Sequence, residues 1–376
     1  MLAEWLPLPG VREHLERLSR GADLDLIHYG TEADAETIKD TAVAQPLIVA
    51  AGLVAARLLR SELDGRDDLL FAGHSVGEIT ASALAGALSE DDAMSFVRTR
   101  ATAMAQAAAA APTGMSAVLS PQEDVIREAI EAAGLTPANA NGSGQIVAAG
   151  SLEALEAFAA NPPERSRVVP LKVAGAFHTD YMSPAVETLS RLSRAVSTHD
   201  SRVSLLSNSD VTVVGSGSEV LRRIVRQVSS PVRWDLCMDT MRDLGVTGII
   251  EVPPAGALTG LAKRGLKGVE TLALRTPDDL EAAHRMVREH GEERTASDPA
   301  WRLVVAPVKG TVAVEPHGPG DSLSPGDLVA RVSSLRDTHQ VISAYGGQVV
   351  EWLVEEGDPV SPGQPLLRLH PTGELA

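Results

Sequence analysis

The sequence predicts an α/β fold followed by a separate all-β module, on three observations. Short apolar, strand-like runs alternate with Ala-rich helical stretches up to about residue 290. One such run ends in a glycine-flanked serine turn that opens a helix. After Trp301 the helical periodicity stops, and Val/Leu strands alternate with Gly, Pro and Asp turns. The 376 residues exceed what one core usually organises, so at least two compact units are expected. Apolar residues make up 44% of the chain and aromatics only 3%, so Ala, Val and Leu fill the interior.

Residues up to about Thr113 read as helices around one short strand. The helical stretch is clearest at Gln45 to Leu59, and the strand is Leu69-Leu70-Phe71-Ala72, just before Gly73. From about 114 to 173 the pattern becomes strands at Met115–Leu119, Gln145–Ala149 and Arg167–Leu171, with a further one near Pro137–Asn141 and two Ala/Glu-rich helices between them. That order suits a small ferredoxin-like insertion. Beyond His178, helices alternate with short strands, including Val203–Leu206 and Ile249–Val252, to Glu289. A first domain over 1–290, a polar linker over 291–300 and a β module over 301–372 follow. The module repeats internally: Gly310, Val312, Gly320-Asp321, Pro325-Gly326 and Arg331 recur thirty-seven residues on as Gly347, Val349, Gly357-Asp358, Pro362-Gly363 and Arg368. Two copies of one β unit imply a pseudo-twofold sandwich.

The formal net charge of -17 repels phosphates, so neither nucleic acid nor an anionic membrane is an expected partner. A single cysteine, Cys237, rules out an internal disulfide framework and a Cys-rich zinc site, and no metal centre is expected. The apolar stretch Leu47 to Leu59 reads as too short to span a bilayer, and the N-terminus has no signal-peptide layout. A cytoplasmic protein is expected.

The sharpest local signal is Gly73-His74-Ser75-Val76-Gly77-Glu78, a G-x-S-x-G turn between a strand and an Ala-rich helix. Such a turn lifts the serine hydroxyl from the sheet edge. The following amide, on Val76, and the positive helix N-terminus then face any oxyanion that forms. The plain alternative is a glycine turn whose serine caps the helix. A hydrolase elbow also calls for a carboxylate between serine and histidine in chain order, and none stands out; Asp180 lies only two residues beyond His178.

Thr41-Ala-Val-Ala-Gln45-Pro46, the serine turn, Arg100, Gly175-Ala-Phe-His178, Ser207-Asn208, Gln227 followed by Pro231-Val232, and Pro254-Ala-Gly256 occur in the order seen in malonyl-CoA:acyl-carrier-protein transacylases. The chain resembles that family over about residues 1–290. The resemblance implies the acyltransferase fold, an α/β-hydrolase-like core with the inserted subdomain, and transfer of malonyl from malonyl-CoA to an acyl carrier protein for fatty-acid or polyketide synthesis. It makes Ser75 the covalent carrier, His178 its base, and the Gln227 main-chain carbonyl the group orienting that histidine. Arg100 then holds the malonyl carboxylate, with Gln45, His74, Phe177 and Asn208 in the substrate site. Arg98 reads as an ordinary exposed helical arginine. The Phe177-His178 pair resembles malonyl-selective members, whose bulky side chain leaves no room for an extra methyl, a difference worth about 1–3 kcal/mol.

Family members open with a strand and a Gly-Gln-Gly turn whose glutamine amide is a second oxyanion donor. Here Met1 to Leu6 resembles the stretch after that turn, so a loss of roughly 10²- to 10³-fold in rate and an exposed sheet edge are expected. Two other readings fit the same residues: a catalytically impaired binding or scaffold protein, and a malonyl-thioester hydrolase. The C-terminal module resembles biotinyl/lipoyl domains. Alignment places Arg336-Asp337 at the hairpin where those carry their lysine, whereas the module's only lysine, Lys309, lies elsewhere. No biotin or lipoate attachment is therefore expected, and the module reads as a docking or assembly element.

Overall fold

In the computed structural model the described residues are 1–63, 66, 68–291, 302–334, 337–343 and 346–370. The expected linker therefore lies outside them except for Gly291, as does Arg336 of the hairpin. The first domain carries ten strands: β1 (Leu70–Ala72), β2 (Thr113–Leu119), β3 (Thr136–Gly142), β4 (Gln145–Ser151), β5 (Arg167–Pro170), β6 (Ser204–Leu206), β7 (Val213–Val214), β8 (Val232–Arg233), β9 (Gly248–Glu251) and β10 (Glu270–Ala273).

Strand β1 pairs in parallel with β6, and β7 closes that small sheet as an antiparallel third strand. β9 and β10 form a separate parallel pair. The two sheets share their cores: Phe71 and Ile250 pack on the main helical cluster, while Leu70, Ala72 and Ile249 pack together on the other face. Among the described residues no strand joins the open edge of β1, and its three residues are only half-buried.

Helices build the main cluster. Helix Thr41–Leu58 starts on Asp40, whose carboxylate accepts the Ala42 amide, and helix Glu90–Ala109 starts on Ser89, whose hydroxyl accepts from Asp92. Three acidic residues in that first turn suit the helix dipole. Among the described residues Thr41–Leu58 is long and apolar enough to cross a membrane, longer than the run seen in the sequence, but 72% of it is buried inside the protein. Gly52 lets this helix approach Thr80, where a Cβ would come within 2.8 Å of the threonine methyl.

The segment 113–170 inserts a second sheet in the order β5-β2-β4-β3, with every neighbouring pair antiparallel. Helices Glu123–Ala132 and Leu152–Ala160 connect its strands, giving the split β-α-β arrangement. β8, from far along the chain, extends that sheet beside β3 and ties the two lobes together.

The C-terminal module contains β11 (Arg302–Val305), β12 (Gly310–Val314), β13 (Ser322–Leu323), β14 (Leu328–Ser333), β15 (Thr338–Ile342), β16 (Gly347–Trp352), β17 (Pro359–Val360) and β18 (Pro365–His370). Its two four-stranded sheets run β11-β18-β16-β13 and β15-β14-β12-β17. Exchanging each strand for the one four places along converts one order into the other, as a twofold repeat requires. The repeated glycines have repeated reasons. Gly320, Gly326, Gly357 and Gly363 all hold positive φ in turns. A Cβ on Gly310 would lie 2.4 Å from the Ser333 carbonyl oxygen, and one on Gly347 would lie 2.7 Å from that of His370. Asp337 lies at the turn between β14 and β15, where its carbonyl accepts from the Ser334 amide at 2.8 Å.

Candidate active site

The chain leaves the carboxyl ends of the parallel neighbours β1 and β6 toward Ser75 and Asn208, the usual ligand position in open α/β sheets. Ser75 follows β1 with φ 53°, a left-handed conformation that turns the chain sharply into helix Gly77–Leu84. Gly73 makes the turn sterically possible, since a Cβ there would lie 2.0 Å from the Gly77 carbonyl carbon. The Val76 amide stands at the N-cap of that helix, ahead of the i→i−4 ladder, and can donate to an oxyanion.

Ser75 Oγ lies 2.8 Å from His178 Nε2. His178 Nδ1 lies 2.9 Å from the main-chain carbonyl of Gln227, the last residue of helix Gly217–Gln227. A carbonyl can only accept, so Nδ1 carries the proton and Nε2 presents its lone pair to the serine. This is a dyad oriented by backbone, and Asp180 is exposed to solvent rather than facing the ring. Burial, aided by the charge on Arg100, pushes the imidazole down to about 3, so it is neutral and competent as a base well below neutrality. An ordinary imidazole would be mostly protonated at pH 5.5. The expected result is a kcat/KM for the donor thioester that stays level from pH 7 to pH 5; a fall centred near pH 6.5 would contradict this environment.

Arg100, on helix Glu90–Ala109, is 1% exposed. It donates through Nη2 to Ser75 Oγ at 3.1 Å and to Gln227 Oε1 at 3.2 Å, and through Nη1 to Gln45 Oε1. Among the described residues its Nε has no partner, a buried donor without an acceptor. Burial lowers its pKa to about 10, still far above neutrality, so the site holds a fixed positive charge beside the nucleophile. Gln45 steadies it, and its own Nε2 reaches the Met104 sulfur at 3.6 Å.

His74 points to the inserted lobe, 3.0 Å from Asn141 Oδ1 and with its ring centroid 5.7 Å from that of Trp234. Phe177 is half-buried where the main cluster meets the one formed by Met115, Ala138 and Val147. Asn208, expected in the substrate site, lies behind the elbow in the structure. It is fully buried, its Nδ2 donates to the Gly73 carbonyl, its Oδ1 accepts from Gln227 Nε2 at 3.0 Å, and its amide donates to Glu78 at 2.6 Å. These bonds make it a brace of the elbow. Arg98 is a correction to the sequence reading, half-buried rather than exposed. Pro46 has no amide to give the Ala42 carbonyl one helical turn earlier, and Arg98 Nη1 donates there at 3.0 Å.

The residue that sequence reasoning missed is Glu78, at the end of the elbow motif and 4% exposed. Burial raises the pKa of its carboxyl, while the Asn208 amide and Ser207 donating to its oxygens and the charge on Arg100 pull the other way, toward the carboxylate. An acidic residue in a helix's first turn is ordinarily a solvated partner of the dipole, and only its place in the motif singled it out.

A half-buried serine bonded to a buried imidazole, with a helix-start amide and a fixed guanidinium beside them, defines an acyltransferase site. The acyl transferase domain family matches residues 11–297, and the chain belongs to it. It is 50% identical to the malonyl CoA-acyl carrier protein transacylase of Mycobacterium bovis over 283 residues, which are 75% of this chain and 93% of that one. The transacylase of Mycolicibacterium smegmatis is 46% identical over 290 residues, 76% of this chain and all of that one. Among solved structures, the crystal structure of the Mycobacterium tuberculosis protein, 49% identical, superposes with a TM-score of 0.73, covering 75% of this chain and 94% of that one.

Proposed function

We infer that this chain transfers a malonyl group from malonyl-CoA to an acyl carrier protein in fatty-acid synthesis, through an ester on Ser75. The observation that carries the reading is Arg100 within 3.1 Å of the nucleophile's oxygen. In malonyl the free carboxylate lies one methylene beyond the acyl carbon, about 2.5 Å away carbon to carbon, so a guanidinium this close suits a short diacid and leaves acetyl without a partner.

In the first half-reaction His178 Nε2 takes the hydroxyl proton as Ser75 Oγ attacks the thioester carbonyl. The tetrahedral oxyanion faces the Val76 amide. Its collapse breaks the carbon–sulfur bond, and the departing coenzyme A thiolate receives the proton from His178. In the second half the phosphopantetheine thiol gives its proton to His178 and attacks the ester, and Ser75 leaves with that proton. The nucleophile and base alternate, and no redox or metal step is needed. Polyketide assembly consumes the same product and is the second destination we propose.

The protein's high negative charge and buried lone thiol support a cytoplasmic site of action away from nucleic acids and membranes. We take the C-terminal module as biotinyl/lipoyl-like in architecture, supported by its twofold pair of four-stranded sheets. The sequence at its β14–β15 turn, Ser334-Leu335-Arg336-Asp337, offers no amine for an amide-linked cofactor, which favours docking or assembly as its role.

Intact-mass measurement after mixing with malonyl-CoA tests the reading: a malonyl adduct should form and discharge onto added acyl carrier protein. Release of free malonate instead would identify a hydrolase, and absence of any adduct a binding protein.

A further inference from the structure

Arg100 is held by neutral groups. Its Nη1 reaches the Gln45 carboxamide oxygen and its Nη2 the Gln227 carboxamide oxygen and the serine hydroxyl, so its positive charge is positioned without being neutralised. The buried Glu78 feels its charge, but the hydrogen-bonded link between the two runs through Gln227. Glu78 Oε1 accepts from the Asn208 amide at 2.6 Å and its Oε2 from Gln227 Nε2 at 2.8 Å. Gln227 Nε2 also donates to the Ser75 carbonyl at 3.2 Å and to Asn208 Oδ1 at 3.0 Å. Three acceptors therefore surround one end of the Gln227 carboxamide, which leaves Oε1 facing the guanidinium.

We propose that Glu78 is a positioning residue that sets the malonyl grip: it fixes the orientation of the Gln227 carboxamide, which aims Arg100 at the substrate carboxylate while leaving its charge free. Glu78 acts one residue removed from the reacting atoms. A carboxylate touching Arg100 directly would compete with malonyl, whereas a carboxamide between them transmits orientation and no net charge. The dyad is spared, because His178 rests on the Gln227 main chain rather than on its side chain. The inference rests on the malonyl-transfer reading above and assigns a residue that reading does not use.

Glu78→Gln keeps the shape and places an N–H₂ group where one of two donors now arrives. Either the Asn208 amide or Gln227 Nε2 then meets a donor, and relief by turning the Gln227 carboxamide would set its N–H₂ against Arg100. Initial rates of malonyl and acetyl transfer from their coenzyme A thioesters to acyl carrier protein, using the full chain, read this directly. The expected result is a fall in malonyl kcat/KM of about tenfold or more, mostly in KM, with a clearly smaller change for acetyl. Gln227→Met removes the same carboxamide and keeps the main-chain carbonyl, so it should narrow malonyl-over-acetyl preference in the same way. The double variant should lose little more than the worse single one. Equal losses for both thioesters, an unchanged preference, or additive losses would each overturn the role. If Glu78→Gln does not fold, the preference of Gln227→Met decides alone. Wild-type protein that transfers no malonyl would sink the functional reading and this inference with it, whereas active wild type with unchanged variants sinks the inference only.

Discussion

Ser75→Ala is expected to lower malonyl transfer by roughly 10⁴-fold or more and to abolish the malonyl adduct seen by intact mass. The hydroxyl has two neighbours that matter, His178 Nε2 at 2.8 Å and Arg100 Nη2 at 3.1 Å, and neither can form the ester in its place. The fold should survive the change. The elbow is held through main-chain atoms, with Gln227 Nε2 donating to the Ser75 carbonyl and Asn208 Nδ2 to that of Gly73. Alanine meets the same cost as serine at φ 53°. Arg100 loses one of two acceptors on Nη2 and retains the other. The thermal midpoint should therefore stay within a few degrees of wild type while turnover vanishes. Undiminished transfer by the alanine variant would mean that the acyl group never rests on this serine.

How much of this was legible in the sequence depended on whether a residue's role is local. The elbow was readable because strand, glycine turn and helix are contiguous, and the steric demand at Gly73 comes from its own neighbours four and five positions on. The twofold repeat of the module was readable because its glycines recur at the same turns, where positive φ admits little else. Two kinds of feature could not be read. Asn208 and Glu78 lie 130 residues apart, and their bond exists only because β6 runs beside β1. From sequence alone one looked like a substrate contact and the other was only the last residue of the elbow motif, with no role of its own. Arg98 answers a vacancy left by Pro46 in another helix, which no pattern around Arg98 records. The separation of β1–β6–β7 from β9–β10 is likewise a fact of assembly, since each strand is short and apolar in isolation.

Arg100→Ala is the variant that separates recognition from chemistry. The guanidinium is buried, positively charged and, among the described residues, paired with no carboxylate, a costly state that a malonyl carboxylate relieves by supplying a charge-assisted, forked partner. Removing one member of such a pair typically costs about 3–5 kcal/mol, so malonyl kcat/KM should fall by roughly 10²- to 10⁴-fold. Acetyl transfer has no carboxylate to lose and should fall far less. It stands to gain in one respect, because the Arg100 charge is the second cause holding His178 low, and its removal makes the imidazole more basic. The same argument predicts that malonyl binding itself raises the basicity of His178 by neutralising Arg100, so the correct substrate strengthens the base that acts on it. Arg100→Lys keeps the charge without the fork and should fall between the two. Parallel kcat/KM measurements with malonyl-CoA and acetyl-CoA on all three proteins check this, and equal losses for the two thioesters would show that Arg100 supports the fold of the site rather than choosing its acyl group.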